Sequence, residues 1–156
     1  MKCLIIAAGK GSRLSSRGDS KPLIPLLGLS LIERVILTAK KSGLTDFYVV
    51  TGYNGEKVRQ YLNQFSQSRN INITHITNEE WEKGNGTSVF EAKKLLDENF
   101  ILLMGDHIFD ESILVKIKNQ RIADDEVMLA VDYNIKTISL LMLMTLPKFL
   151  SKRAVF

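Results

Sequence analysis

Three short segments hold the side chains whose types and spacing suit chemistry, and the first is Gly9-Lys10-Gly11-Ser12-Arg13-Leu14, followed by Lys21-Pro22. Gly9 and Gly11 leave no side chain in the way of a bound group and allow backbone conformations closed to other residues. Successive N–H groups in such a loop form an anion-binding concavity. Arg13 adds a planar fork of donors and Lys21 a point charge, both suited to phosphate oxygens. The chemistry this combination points to is the handling of phosphate.

The second segment is Met104-Gly105-Asp106-His107, directly after the apolar run Phe100 to Leu103. Hard oxygen at the carboxyl end of a strand suits Mg²⁺, which is commonly held by one or two carboxylates together with substrate phosphates. Asp106 is the candidate metal ligand; its other reading is a cap on the helix that starts near Asp110. His107 reads as a loop histidine satisfying backbone groups, with contact to metal or substrate as its second role. The third segment is Glu82-Lys83-Gly84-Asn85-Gly86-Thr87-Ser88, in which two glycines and an asparagine lead into a helix. Helix N-termini present donors and positive potential, and Asn85 offers both a donor and an acceptor to a base edge. A plain helix entry with Thr87 or Ser88 as N-cap fits as well. Trp81 either stacks or packs, and Asp132 is a weaker candidate. No nucleophile and base are paired, since Ser12 has no evident histidine partner.

These segments need a scaffold, and the chain alternates strand and helix signals. A near-continuous apolar run over 3–8 predicts a strand covered on both faces. A stretch from Ser15 to Gly28 reads as loop. Leu31, Ile32, Val35, Ile36 and Ala39 repeat at helical spacing, with Ser30 as N-cap and Gly43 as the stop. Strands follow over 46–51, 71–76 and 100–104, with a helix from near Gly55 carrying Val58, Tyr61, Leu62 and Phe65. Another helix runs from Gly86-Thr87-Ser88 to about Asn99, a short one covers 111–119, and a last strand covers 126–133. This alternation predicts a doubly wound, mostly parallel α/β sheet, with ligands bound beyond the carboxyl ends of its strands.

Two better-known glycine loops are excluded. The ATPase phosphate loop requires G-x-x-x-x-G-K-[ST], which is not present in this segment. The dinucleotide fingerprint requires a third glycine where Leu14 stands. Composition narrows the field further. A chain of 156 residues is one domain, long enough to bury about two-thirds of its unfolded surface. Hydrophobic and charged fractions of 45% and 24% are those of an ordinary globular protein. The net charge of +4 is dispersed, without the basic stripe of a nucleic-acid binder. Cys3 is the single cysteine, so disulfides and thiolate clusters are excluded and a buried thiol is expected. No apolar run is long enough for a membrane span, and the expected compartment is the cytoplasm.

The run Ala8, Gly9, Gly11, Ser12, Arg13 and Leu14, with Lys21 and Pro22, resembles the signature [AG]-x-G-x-G-[ST]-R-[LM] followed by K-P, of the nucleotidyltransferases that activate phosphorylated sugars and polyols. The pairing of E-K-G-N-G with M-G-D-H is most similar to the cytidylyltransferases acting on inositol 1-phosphate. The resemblance implies a Rossmann-like fold of the nucleotide-diphospho-sugar transferase type and small-molecule partners, CTP and inositol 1-phosphate in the first instance. A sugar 1-phosphate with UTP, GTP or dTTP is the nearest alternative, and an inactive nucleotide-binding fragment the other. It further implies that Ala7, Ala8, Gly9, Gly11 and Ser12 cradle the triphosphate and that Arg13 and Lys21 are the catalytic cations. Lys83 would lie near the substrate phosphate, Gly84, Asn85, Gly86 and Thr87 against the nucleotide, and Asp106 on Mg²⁺.

The resemblance covers 1–136 and then stops. Over 138–150 the Leu-Met alternation has no clear amphipathic period. With TTG for leucine, the same nucleotides shifted by two read Val-Asp-Val-Asp-Asp-Ala-Thr-Lys-Val, a polar alternation closer to this family. The expectation is a frameshift near Lys136, leaving an incomplete nucleotide-binding domain over 1–136 and an aberrant tail over 137–156. Members of the family continue further, with more strands, much of the acceptor pocket and a second acidic metal ligand. An exposed apolar tail and an unfinished sheet edge favour association, so a homo-oligomer is expected.

Overall fold

A computed structural model describes residues 1–11, 20–123 and 126–131. The chain divides into two compact units, Met1–Leu114 and Val115–Phe156. The first unit carries a four-stranded parallel sheet in the order β5-β4-β1-β6, formed by β1 (Lys2–Ala7), β4 (Asp46–Thr51), β5 (Asn72–Thr77) and β6 (Phe100–Met104). Between β1 and β4 lie a small antiparallel ribbon of β2 (Pro25–Leu26) and β3 (Leu29–Ser30) and the helix α1 (Leu31–Lys41). Helix α2 (Gly55–Arg69) joins β4 to β5, and α3 (Asn85–Glu91) joins β5 to β6. The strand order builds outward from β1 to β5 and then returns to β6 on the other side of β1. The reversal puts a crevice between the carboxyl ends of β1 and β6, where ligands of such sheets bind.

The period-2 alternation of β1 divides its side chains between two cores. Cys3, Ile5 and Ala7 join Phe47 and Val49 of β4 beneath Ile32, Val35 and Ile36 of α1 and Val58 and Leu62 of α2. Leu4 faces the other way, with Val50, Ile76 and Ala92, beneath α3. Full burial of such side chains contributes about 1.5–3 kcal/mol each. Cys3 is buried as expected, and burial pushes its thiol up to about 12, which removes it from thiolate chemistry. Helix α1 starts with a capping box: Ser30 Oγ accepts from Glu33 N–H at 3.3 Å, and Glu33 Oε2 accepts from Ser30 N–H at 2.7 Å. The same Glu33 oxygen accepts from Tyr61 Oη at 2.8 Å, which ties α1 to α2.

Three sequence expectations need correction. The stretch expected as loop contains, in its described part, a 3-10 turn over Lys21–Leu23 and the first strand, β2, of the β2-β3 ribbon. Its tight turn places Leu27 and Gly28 at φ of 49° and 82°, conformations announced by the glycine but hidden by the apolar leucine. Helix α3 ends at Glu91, well short of Asn99, because Lys2 Nζ takes the Leu95 carbonyl at 2.8 Å and pairs with Asp97, holding the chain in successive tight turns. The strand expected over 126–133 does not form in its described residues, 126–131. Alternation says which face a strand would bury, but Val127, Leu129 and Val131 remain 70%, 51% and 49% exposed with no ladder partner. Among the described residues, no helix is long and apolar enough to cross a membrane.

Candidate functional site

Three chain exits converge at the carboxyl end of β1. On one side Tyr53 N–H donates to the Ala8 carbonyl at 2.9 Å, carrying the exit of β4 across it. On the other, Gly105 N–H donates to the Ile6 carbonyl at 2.9 Å, carrying the exit of β6 alongside. Gly9, Lys10 and Gly11 follow directly on Ala8. Gly11 sits at φ 65°, and a Cβ there would stand 2.5 Å from Lys21 Cβ. Glycine is therefore required twice over, by the backbone and by the lysine stem lying against it.

Lys21 is fixed from below. Leu23 N–H donates to the Ser20 carbonyl at 3.0 Å and Ile24 N–H to the Lys21 carbonyl at 3.1 Å, closing the turn around the buried Pro22. The stem then runs past Gly11 and its ammonium pairs with Asp106 Oδ2, across the crevice between β1 and β6. The side chains are 34% and 17% exposed, so water reaches the pair without flooding it. His107 Nε2 lies 3.8 Å from the other oxygen, Asp106 Oδ1. The capping alternative for Asp106 falls away, since Asp110 Oδ1 accepts from Ser112 N–H at 2.9 Å at the start of α4 (Glu111–Lys118).

The structure thus brings Ala7, Ala8, Gly9, Gly11 and Lys21 to one crevice with Asp106, which is far from them in sequence. Ser12 and Arg13 lie outside the described residues, as do Asp132 and the tail over 137–156. As to a metal, the described residues hold no cluster of three or more histidine, cysteine, aspartate or glutamate side chains. They fit Mg²⁺ as one carboxylate, Asp106, in a place where phosphate oxygens and water could supply the remaining ligands.

The segment Lys83 to Thr87 is reached through Trp81. That ring meets Tyr53 edge to face at 5.3 Å, and Gly52 has no Cβ because one would stand 2.5 Å from Trp81 Cβ and 2.9 Å from the Ala8 carbonyl. Trp81 therefore packs, and Lys10 Nζ caps the other partner, 5.5 Å from the Tyr53 ring centre. Lys83 is exposed and turned toward Glu80, Nζ to Oε1 2.5 Å. Gly84, Asn85 and Gly86 are exposed. The entry of α3 has no side-chain cap: Thr87 Oγ1 donates instead to the Gly84 carbonyl at 2.8 Å. Neither Thr87 nor Ser88 is the N-cap that the sequence allowed.

The residue that organises this segment escaped the sequence reading. Asn78, fully buried at the end of β5, donates from Nδ2 to Thr87 Oγ1 at 2.9 Å and to Ser88 Oγ at 3.0 Å. Its Oδ1 accepts from Glu80 N–H at 2.9 Å, and its own N–H donates to the Thr51 carbonyl at 2.8 Å. A lone asparagine in Asn-Glu-Glu gives no pattern to read; the only hint was its place just past an alternating strand.

Comparison with known proteins agrees with this architecture. The bifunctional IPC transferase and DIPP synthase of Rubrobacter xylanophilus is 38% identical over 105 residues, 67% of this chain and 23% of that one. The bifunctional protein GlmU of Methanococcus maripaludis is 35% identical over 115 residues, 72% of this chain and 26% of that one. The inositol-1-phosphate CTP transferase of T. maritima superposes with a TM-score of 0.66 at 24% identity, covering 80% of this chain and 49% of the other, a likeness of fold. The chain therefore spans about a quarter of these curated relatives and about half of the solved structure. A family profile matches residues 3–151, past the point at which the motif resemblance was expected to end. The family it describes, to which this chain belongs, is that of the MobA-like NTP transferase domains, a family of nucleotidyltransferases.

Proposed function

We propose that this chain is the nucleotide-binding part of a Mg²⁺-dependent nucleotidyltransferase that condenses CTP with inositol 1-phosphate and releases pyrophosphate. The observation that carries the reading is the Lys21–Asp106 pair at the switch point between β1 and β6, a cation and an acid side by side beneath a glycine loop. The names of the Rubrobacter relative and the T. maritima structure favour this substrate pair.

In this reaction an oxygen of the acceptor phosphate attacks the α-phosphorus in line. The new P–O bond forms as the bridge to the β-phosphate breaks, and pyrophosphate leaves with the bonding electrons. Such chemistry is mostly positioning and charge stabilisation. The backbone of Ala7, Ala8, Gly9, Gly11 and Ser12 would cradle the triphosphate, Arg13 would neutralise the departing pyrophosphate, and Lys21 would take the charge developing at the α-phosphate. Lys83 would meet the phosphate of the acceptor, while Gly84, Asn85, Gly86 and Thr87 would contact base and ribose. Asp106 would hold Mg²⁺ together with the triphosphate, and Mg²⁺ would supply charge neutralisation there.

The solved structure of a putative glucose-1-phosphate thymidylyltransferase from Bacillus anthracis, similar in fold with a TM-score of 0.65 at 21% identity, favours a second reading, transfer to a sugar 1-phosphate from UTP, GTP or dTTP. Pyrophosphate release tests both. CTP with inositol 1-phosphate is expected to give the fastest release, and a faster rate with another nucleotide and a sugar 1-phosphate would transfer the assignment to the second reading. Nucleotide binding without release in any combination would leave a binding fragment.

A further inference from the structure

The cation on Asp106 is part of the protein. Lys21 is held at its base and along its stem: the turn through Ser20 and Ile24 fixes its backbone, and the stem packs against Gly11, where a Cβ would stand 2.5 Å from its Cβ and 3.0 Å from its Cδ. The ammonium at the end of this stem pairs with Asp106 Oδ2. A divalent cation approaching Asp106 alone therefore meets a carboxylate that is already neutralised and a like charge beside it. At this range, repulsion between like charges weakens binding by a factor of about five in bulk water, and by more where water is partly excluded, as it is here with Asp106 17% exposed. A triphosphate changes the balance, because its oxygens offer Lys21 a new partner within the reach of a flexible four-carbon stem. Resting on the nucleotidyltransferase reading above, we infer that Lys21 is the resident counterion of Asp106 and is exchanged for the divalent cation only when phosphate arrives. The metal then enters with the nucleotide, and the free protein discriminates against the metal alone.

The exchange involves only non-covalent partners. In the free protein the lysine ammonium neutralises the carboxylate; in the complex the divalent cation does so and the ammonium moves to phosphate. In both states each charge has a partner, so neither state carries the cost of an uncompensated charge. Lys21 would thus be a positioning residue for the metal as well as a catalytic residue for the phosphate.

Mn²⁺ titrated into the protein and followed by the electron paramagnetic resonance of the free ion tests this without turnover. Lys21→Met and Lys21→Gln keep a stem against Gly11 while removing the charge, and circular dichroism of each verifies the fold. The expected result is Mn²⁺ affinity about tenfold or more higher in both variants than in the unaltered chain, with the gain abolished when Asp106→Asn is added. CTP is expected to raise Mn²⁺ affinity strongly in the unaltered chain and less in the Lys21 variants. Equal Mn²⁺ affinity with and without the lysine charge, or a gain that survives Asp106→Asn, would overturn the exchange. Saturable CTP binding alongside unchanged Mn²⁺ affinities would overturn the exchange and spare the nucleotide reading. A Lys21-dependent Mn²⁺ site with no CTP binding would support the counterion and overturn the nucleotide reading.

Discussion

The crevice between β1 and β6 and the corner at the end of β5 are both made from loops leaving the carboxyl edge of one sheet, yet they are held in opposite ways. At the crevice a partly exposed lysine and aspartate hold each other, and each can find another partner. At the corner a fully buried asparagine is fixed by four hydrogen bonds, to Thr51, Glu80, Thr87 and Ser88. An ion pair reached by water contributes little to stability, with a median of about 0–1 kcal/mol. A buried amide left without partners costs about 1–3 kcal/mol. The difference separates a region fixed by buried hydrogen bonds from one whose charges can change partners: on the proposed function, changes at the crevice should be read in turnover, and changes at the corner in stability first.

The largest effect is expected at the crevice. Lys21→Ala, in a form of the protein that turns over, should lower the rate of pyrophosphate release by about 10²- to 10³-fold. Nucleotide affinity should fall less, and the unfolding midpoint should hardly move. A large loss of stability with little loss of rate would reverse the contrast. Next comes Asn78→Ala, which removes the donor to Thr87 Oγ1 and Ser88 Oγ and the acceptor of the Glu80 N–H, and should cost about 1–3 kcal/mol in denaturant unfolding. A variant as stable as the parent would show that the corner is no better fixed than the crevice.

The smallest effect concerns pH on the same edge of the sheet. His75 Nε2 lies 2.8 Å from Asn63 Oδ1 and must donate to it, so the buried Nδ1, which has no partner, is the bare nitrogen of the neutral ring. Burial first, then the Arg59 charge, lowers its pKa below the ordinary 6.5. A histidine whose folded pKa is depressed contributes stability above its unfolded pKa, and that contribution is lost as pH falls, because the unfolded chain takes up the proton first. Stability should decline as pH drops below about 6.5 and level off once the folded ring protonates too. His75→Gln should flatten that part of the profile, and an unchanged slope would exclude the ring as its source.

How much of this was legible in the sequence follows the same division. The parallel strands, the α1 and α2 stripes and the Ser30 cap were readable because they are local patterns with a periodicity or a cap at a fixed offset. Gly11, Lys21 and Asp106 were readable as candidates, from residue types and from the apolar runs before Gly9 and Gly105. Their contact was not, since it depends on β6 being laid beside β1 by a chain reversal that no local pattern encodes. Asn78 was hidden for a related reason: its four partners are fixed by the packing of β4, β5 and α3 together. The strand expected over 126–133, which does not form in its described residues 126–131, makes the complementary point, because alternation is a property of one segment and pairing a property of two.

Calorimetric titration of CTP in the presence of Mg²⁺, into the unaltered chain and into Asp106→Asn, tests the central claim most directly. The account predicts saturable binding to the first, and to the second a loss of the Mg²⁺-dependent part of the affinity. No saturable binding of CTP or any other nucleoside triphosphate to the unaltered, folded chain would contradict it.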